Sequence, residues 1–219
     1  YFLHSFYLPD RITIAVAGNL DHEDIVAQVR DCFWRLGGVS ETQDVSGPVF
    51  SGSFVRQERQ GSQAYFAVGL QAPAYDFAGR YHLHLLNSVL GGGLSSRLYR
   101  ALREEKGLVY DIHSEYHAYL DAGALIVSGS SRPEVVFDVV DGVTSIINNI
   151  IEGKENVTEE ELWQAKLYNI GQHHIDSEDP FTRMSRLLTQ YFYFNRSIPS
   201  PEVVEGLNNV SVESLAAVW

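Results

Sequence analysis

Two β-rich runs, Val109–Tyr119 and Ala122–Ser131, are separated only by Leu120 and Asp121. A link this short joins antiparallel neighbours, because a parallel pair needs a crossover of a dozen or more residues. Upstream, Ser53–Arg59 and Ala64–Leu70 flank Gln60-Gly61-Ser62-Gln63 and read as a second hairpin-like pair. The remaining elements are helical by periodicity. Tyr81–Leu90 places His82, Leu85, Leu86 and Val89 on one face. Ser95 or Ser96 can cap a helix reaching about Glu105, which Gly107 ends. Pro133 opens a helix to about Ile151. Thr158 and Glu161 stand in capping-box positions for a helix to about Ile175.

Phe181–Phe194 is a further helix, Asn195–Pro201 a loop, and Ser211 begins a last helix that runs to the end of the chain at Trp219. Near the start, Arg11–Ala17 is apolar on both faces and reads as a buried strand. Asp21 caps a helix to about Phe33 with Ile25, Val26, Val29 and Phe33 as its stripe, and Gly37–Gly52 reads as a surface loop. This order implies an α+β fold: a mixed, largely antiparallel sheet with helices packed on one face, within a single domain spanning 1–219.

Composition narrows function by exclusion. The 219 residues are 45% hydrophobic and 12% aromatic, which suits a packed core. A net charge of −12 argues against nucleic-acid binding, which needs a basic face. One cysteine, Cys32, excludes an internal disulfide framework and a cysteine-based zinc site, and it leaves the compartment open. No apolar run approaches the ~20 residues of a membrane helix. Tyr1 and Trp219 both read as cuts through a longer polypeptide.

The chemistry-bearing stretch is Leu90–Tyr119, LGGGLSSRLYRALREEKGLVYDIHSEYHAY. His113-Ser-Glu-Tyr-His117 imitates a zinc motif, but Glu115 is misplaced, and on a strand the two histidines stand ~13 Å apart. His173 and His174 are adjacent on a helix and face different ways. No GK[ST] follows the glycines, so a phosphate-binding loop is excluded. Gly91, Gly92 and Gly93 are either a backbone surface able to hydrogen-bond a peptide, or a tight turn needing positive φ. Arg103 and Tyr110 flank Glu104-Glu-Lys-Gly107. They could hydrogen-bond main-chain carbonyls, or they could be an Arg–Glu pair beside a half-buried tyrosine. Cys32 lies on an apolar helix face and no Gly-x-Ser-x-Gly is present, so neither a cysteine nor a serine protease is supported, and no catalytic residue is assigned.

GGGLSSRLYRALREEKGLVY, with YLPDRITIAVAGNLDHEDIVAQVRDCF upstream, resembles the pitrilysin-like zinc peptidases of family M16, which include insulin-degrading enzyme and the mitochondrial processing peptidase. The resemblance covers nearly the whole chain. It implies the family's C-terminal-type, non-zinc domain with a LuxS/MPP-like metallohydrolase architecture. In that family an HxxEH motif and a downstream glutamate hold zinc, and this chain contains no HxxEH. No cofactor is therefore expected in this chain, and zinc is expected in a preceding domain of the parent protein. By the same resemblance Arg103 and Tyr110, seven apart, match a pair that binds substrate main chain, and Gly91, Gly92 and Gly93 match a substrate-handling loop. The implied partners are an unfolded peptide and a zinc-bearing domain or subunit of the same family. The alternative is a catalytically inactive peptidase-like subunit with a structural or peptide-binding role.

Overall fold

The computed structural model describes residues 6–38, 47–75 and 78–216. Residues 39–46 of the expected surface loop and residues 217–219 of the expected last helix lie outside them. Two compact units divide the chain: the described part of Tyr1–Ser46 with His173–Ile198, and Gly47–Gln172 with the residues from Pro199 onward.

The second unit holds a three-stranded sheet of order β1-β3-β2, formed by β1 (Ala64–Ala72), β2 (Val109–Ala118) and β3 (Gly123–Ser131). Both pairings are antiparallel, with Ala64 opposite Ser131 and Ala118 opposite Gly123. The Leu120–Asp121 hairpin is thus formed as the sequence implies. Side chains alternate across the sheet. Phe66, Leu125, Val127 and Ile112 face inward and are buried.

Over that face pack α2 (Arg80–Gly91) and α3 (Val136–Ile151), the latter preceded by a 3₁₀ turn at Pro133–Val135. Leu85, Leu86 and Leu90 of α2 and Val139 and Val143 of α3 are 2% exposed or less. Each such side chain contributes about 1.5–3 kcal/mol by leaving water. Between α2 and β2 the segment Tyr99–Glu105 is a π-helix, wider than the α-helix its periodicity suggests. Leu98 and Leu102 seat it in the core, and a Cβ on Gly142 of α3 would come within 2.7 Å of the Leu102 methyl. The first part of α4 (Glu159–Glu178), with α6 (Ser200–Asn208) and α7 (Val212–Ala216), completes this unit. Leu162, Leu207 and Leu215 join the same core.

In the other unit α1 (His22–Phe33) starts as expected, with the Asp21 carboxylate accepting from the backbone N–H groups of Glu23 and Asp24 at 2.9 and 3.1 Å. Here α5 (Pro180–Phe194) is capped by Asp179 and ends at Asn195, whose φ of +54° is the left-handed conformation that stops helices.

Three expectations are corrected. Residues 12–17 form no strand; Ile14 and Val16 are exposed. Apolarity on both faces reports a segment suited to burial, and among the described residues no strand supplies the ladder. Residues 53–59 are also unpaired. Phe54 and Val55 are exposed, and Arg56 turns to Glu58 at 2.7 Å and to the Phe137 ring. With five polar residues, Arg56 to Gln60, in succession after them, those two apolar groups cannot anchor a half-buried strand. Finally, the Asn195–Pro201 loop is shorter than read, because α6 begins at Ser200 with Pro201 in its first turn.

Candidate functional site

The glycine run closes α2. Gly91 is buried, and a Cβ built there would lie 2.6 Å from both the backbone nitrogen and the Oγ of Ser114 on β2. At Gly92 it would lie 2.6 Å from Ser88 Cα, whereas at Gly93 nothing stands within 4 Å. None of the three has positive φ. Close approach of the helix end to β2 demands glycine at position 91, and close approach to Ser88 in the helix's own last turn demands it at 92; neither is a left-handed turn. Gly93, Leu94 and Ser95 are exposed.

Neither Ser95 nor Ser96 caps the following helix through its side chain. Ser96 is already in helical register, its carbonyl accepting from Arg100 N–H at 3.0 Å. Its buried Oγ has no hydrogen-bond partner among the described residues.

Arg97 takes over the anchoring. Its guanidinium donates to both carboxylate oxygens of Glu161, at 2.7 and 2.8 Å, and to the carbonyls of Glu155 and Asn156, each at 2.8 Å. Glu161 also completes the expected capping box, accepting from Thr158 N–H at 2.8 Å while its own N–H donates to Thr158 Oγ1 at 3.2 Å. Burial alone would raise the Glu161 pKa. The bonds from Arg97 and Thr158 and the Arg97 charge outweigh it and bring the carboxyl down to about 2. Nothing local in the sequence marks Arg97 for this role, since an arginine near a helix start is common.

Arg103 and Tyr110 are presented differently. Arg103 lies in the last turn of the π-helix, exposed, with its guanidinium 5.4 Å from the centre of the Tyr99 ring. It forms no ion pair among the described residues, so the structural Arg–Glu pair is not formed. Gly107, at φ +61°, reverses the chain and donates to the Arg103 carbonyl at 3.2 Å. Tyr110 then sits at a β-bulge: Val109 faces Ser131 and Asp111 faces Ser130, and Tyr110 is the extra residue. It is 46% exposed, and its hydroxyl has no hydrogen-bond partner among the described residues. A π-helix and a bulge, both irregularities common at functional sites, therefore aim the two side chains. Gly91 meets β2 at Ser114, four residues and about 13 Å along the strand from Tyr110.

The residues present do not fit a zinc centre. Among the described residues no group of three or more His, Cys, Asp or Glu could hold a metal ion. His113 and His117 lie on β2, each beside its own carboxylate. His173 and His174 meet only edge to face. Cys32 is exposed. No helix among the described residues is long and apolar enough to cross a membrane.

The chain as a whole is similar to known proteins. The chain belongs to the family described as the peptidase M16 inactive domain, which its residues 1–168 match. It is 30% identical over 220 residues to an uncharacterized zinc protease of Mycobacterium tuberculosis, covering 97% of this chain and 49% of the relative. The uncharacterized zinc protease YmxG of Bacillus subtilis is 26% identical over 212 residues, covering 97% and 51%. The crystal structure of a peptidase M16 inactive domain from Pseudomonas fluorescens superposes with a TM-score of 0.75 at 20% identity, over 91% of this chain and 48% of that one. The chain thus spans about half the length of the curated relatives it matches.

Proposed function

We propose that this chain is the substrate-holding half of an M16-type zinc endopeptidase, gripping unfolded peptides while a zinc-bearing half cleaves them. The observation that carries the reading is the pair Arg103 and Tyr110, exposed on consecutive irregular elements with neither polar group committed to a side-chain acceptor among the described residues. A guanidinium offers several N–H donors and a phenol one more, which suits the carbonyl row of an extended main chain. Such contacts lower the barrier by fixing the peptide relative to a catalytic group supplied elsewhere. Of the glycines, Gly93 is the one with open space to receive a peptide, while Gly91 sits against β2 and Gly92 against Ser88 of its own helix. The zinc-protease relatives, about twice this chain's length, support a partner half carrying the metal.

The test is peptide turnover by the full-length protein. Arg103→Ala and Tyr110→Phe should each lower kcat/KM for a quenched-fluorescent unfolded peptide about tenfold, the loss of one or two hydrogen bonds, with zinc content unchanged. Wild-type kinetics in both variants would overturn the reading and favour a scaffolding role.

A further inference from the structure

The sheet face opposite the helices carries Asp111, His113, Glu115 and His117 in alternate positions along β2. His113 faces Ser128 across the β2–β3 pair, with its Nε2 3.0 Å from Ser128 Oγ. Its Nδ1 lies 3.3 Å from Asp111 Oδ2. Carboxylate, imidazole and hydroxyl thus follow one another in the order that activates a serine. We propose that Asp111, His113 and Ser128 form a nucleophile relay that makes Ser128 Oγ acylable by activated esters, a reactivity separate from peptide gripping.

The tautomer follows from the contacts. A carboxylate beside Nδ1 favours the proton there, which leaves the Nε2 lone pair to accept from Ser128 O–H. His117 provides an internal contrast. Its Nε2 is already taken by Glu115 at 3.1 Å, so it has no such arrangement. On the β1 side Ser128 faces Ala67, whose neighbours on that face are Gly69 and Tyr65, so the approach is open over Ala67 and Gly69 and flanked by the tyrosine. Ile126, two residues from Ser128 on the same face of β3, offers an apolar surface for the acyl group. His113 is 45% exposed, Asp111 66%, and Ser128 half-buried beside them.

In the first step Ser128 Oγ bonds to the ester carbonyl carbon, and its proton passes to His113 Nε2. The carbon–oxygen bond to the leaving group then breaks, and the leaving oxygen takes that proton. Water next attacks the acyl-serine with His113 as base, releasing the carboxylic acid and restoring the hydroxyl. The three residues supply nucleophile activation only. That suits acyl donors with good leaving groups, such as aryl esters, and not peptide bonds.

The experiment is acetylation of the full chain by p-nitrophenyl acetate, followed as a nitrophenolate burst, with the modified residue located by mass spectrometry. The acetyl group should be found on Ser128. Ser128→Ala should abolish the burst, His113→Asn should slow it about a hundredfold, and Asp111→Asn about tenfold. His117→Asn should leave it unchanged. An acetyl group on another residue, or an undiminished burst in His113→Asn, overturns the relay. Should His113→Asn lose its circular dichroism signature, a fluorophosphonate adduct mapped on the wild-type chain decides: on Ser128 it supports the relay, elsewhere it overturns it.

Discussion

Arg97 and Arg103 stand six residues apart in one helical segment, yet their surroundings are opposite. Arg97 is 15% exposed and meets four oxygen acceptors from Glu155, Asn156 and Glu161. Arg103 is exposed and touches one aromatic ring. The glycines upstream divide the same way, Gly91 pressed against Ser114 and Gly93 open. A single recognisable motif therefore contains a part built into the packing and a part offered to solvent. Substitutions in the first should change stability, and substitutions in the second should change binding.

The largest break in that contrast should come from Arg97→Met. It strands the Glu161 carboxylate, 25% exposed, and removes donors from two loop carbonyls. Breaking a comparable pair from one side costs 3–5 kcal/mol when fully buried, so about 3 kcal/mol is expected here. Guanidinium denaturation of the variant should show it as a lower midpoint. A loss below about 0.5 kcal/mol would mean the pair behaves as a surface bridge.

Acid titration should reveal the same pair. Glu161 falls from an ordinary 4.5 to about 2 in the folded chain. Its depressed pKa means the stabilisation is present above the unfolded value and is lost as pH drops through the folded one. Unfolding free energy should therefore decline between about pH 5 and pH 2, by about 2 kcal/mol after discounting for solvent contact. In Arg97→Met most of that decline should vanish. A wild-type slope in the variant would assign the acid sensitivity to other carboxylates.

Gly91→Ala sharpens the division among the glycines. The new methyl would sit 2.6 Å from the Ser114 backbone nitrogen, a strand atom held in its ladder. About 2 kcal/mol of destabilisation is expected by thermal unfolding, against less than about 0.5 for Gly93→Ala. Equal effects would erase the distinction.

Features that rest on neighbouring residues were legible in the sequence and long-range contacts were not, for physical reasons. The Leu120–Asp121 hairpin, the Asp21 cap and the Thr158–Glu161 box all rest on local rules, and all are present. Arg97 was missed because its partners lie 58 to 64 residues away, beyond any local pattern. Gly91 was legible as glycine but not as a contact with β2, since periodicity does not say which strand a helix end meets. Residues 12–17 and 53–59 show the converse limit. Strand-like composition specifies an extended segment, while pairing depends on an edge that composition does not locate. The irregular backbone at Tyr99–Glu105 and Tyr110 has no sequence signature at all.

The smallest stability effect should accompany the outward pair, and its smallness is the informative part. Arg103→Ala removes a ring contact at an exposed site, and Tyr110→Phe removes a hydroxyl without a partner among the described residues, so each should shift unfolding free energy by less than about 0.5 kcal/mol. If either variant lost 2 kcal/mol, its side chain would belong with Arg97 in the packing, and any fall in peptide turnover would report unfolding. If stability holds while turnover falls, the motif separates into a scaffold that positions and a surface that binds. Adding Arg97→Met to Arg103→Ala closes the test. Stability losses should then add, because the two guanidinium groups share no partner, and a coupling above about 0.5 kcal/mol would show that the π-helix transmits strain between them.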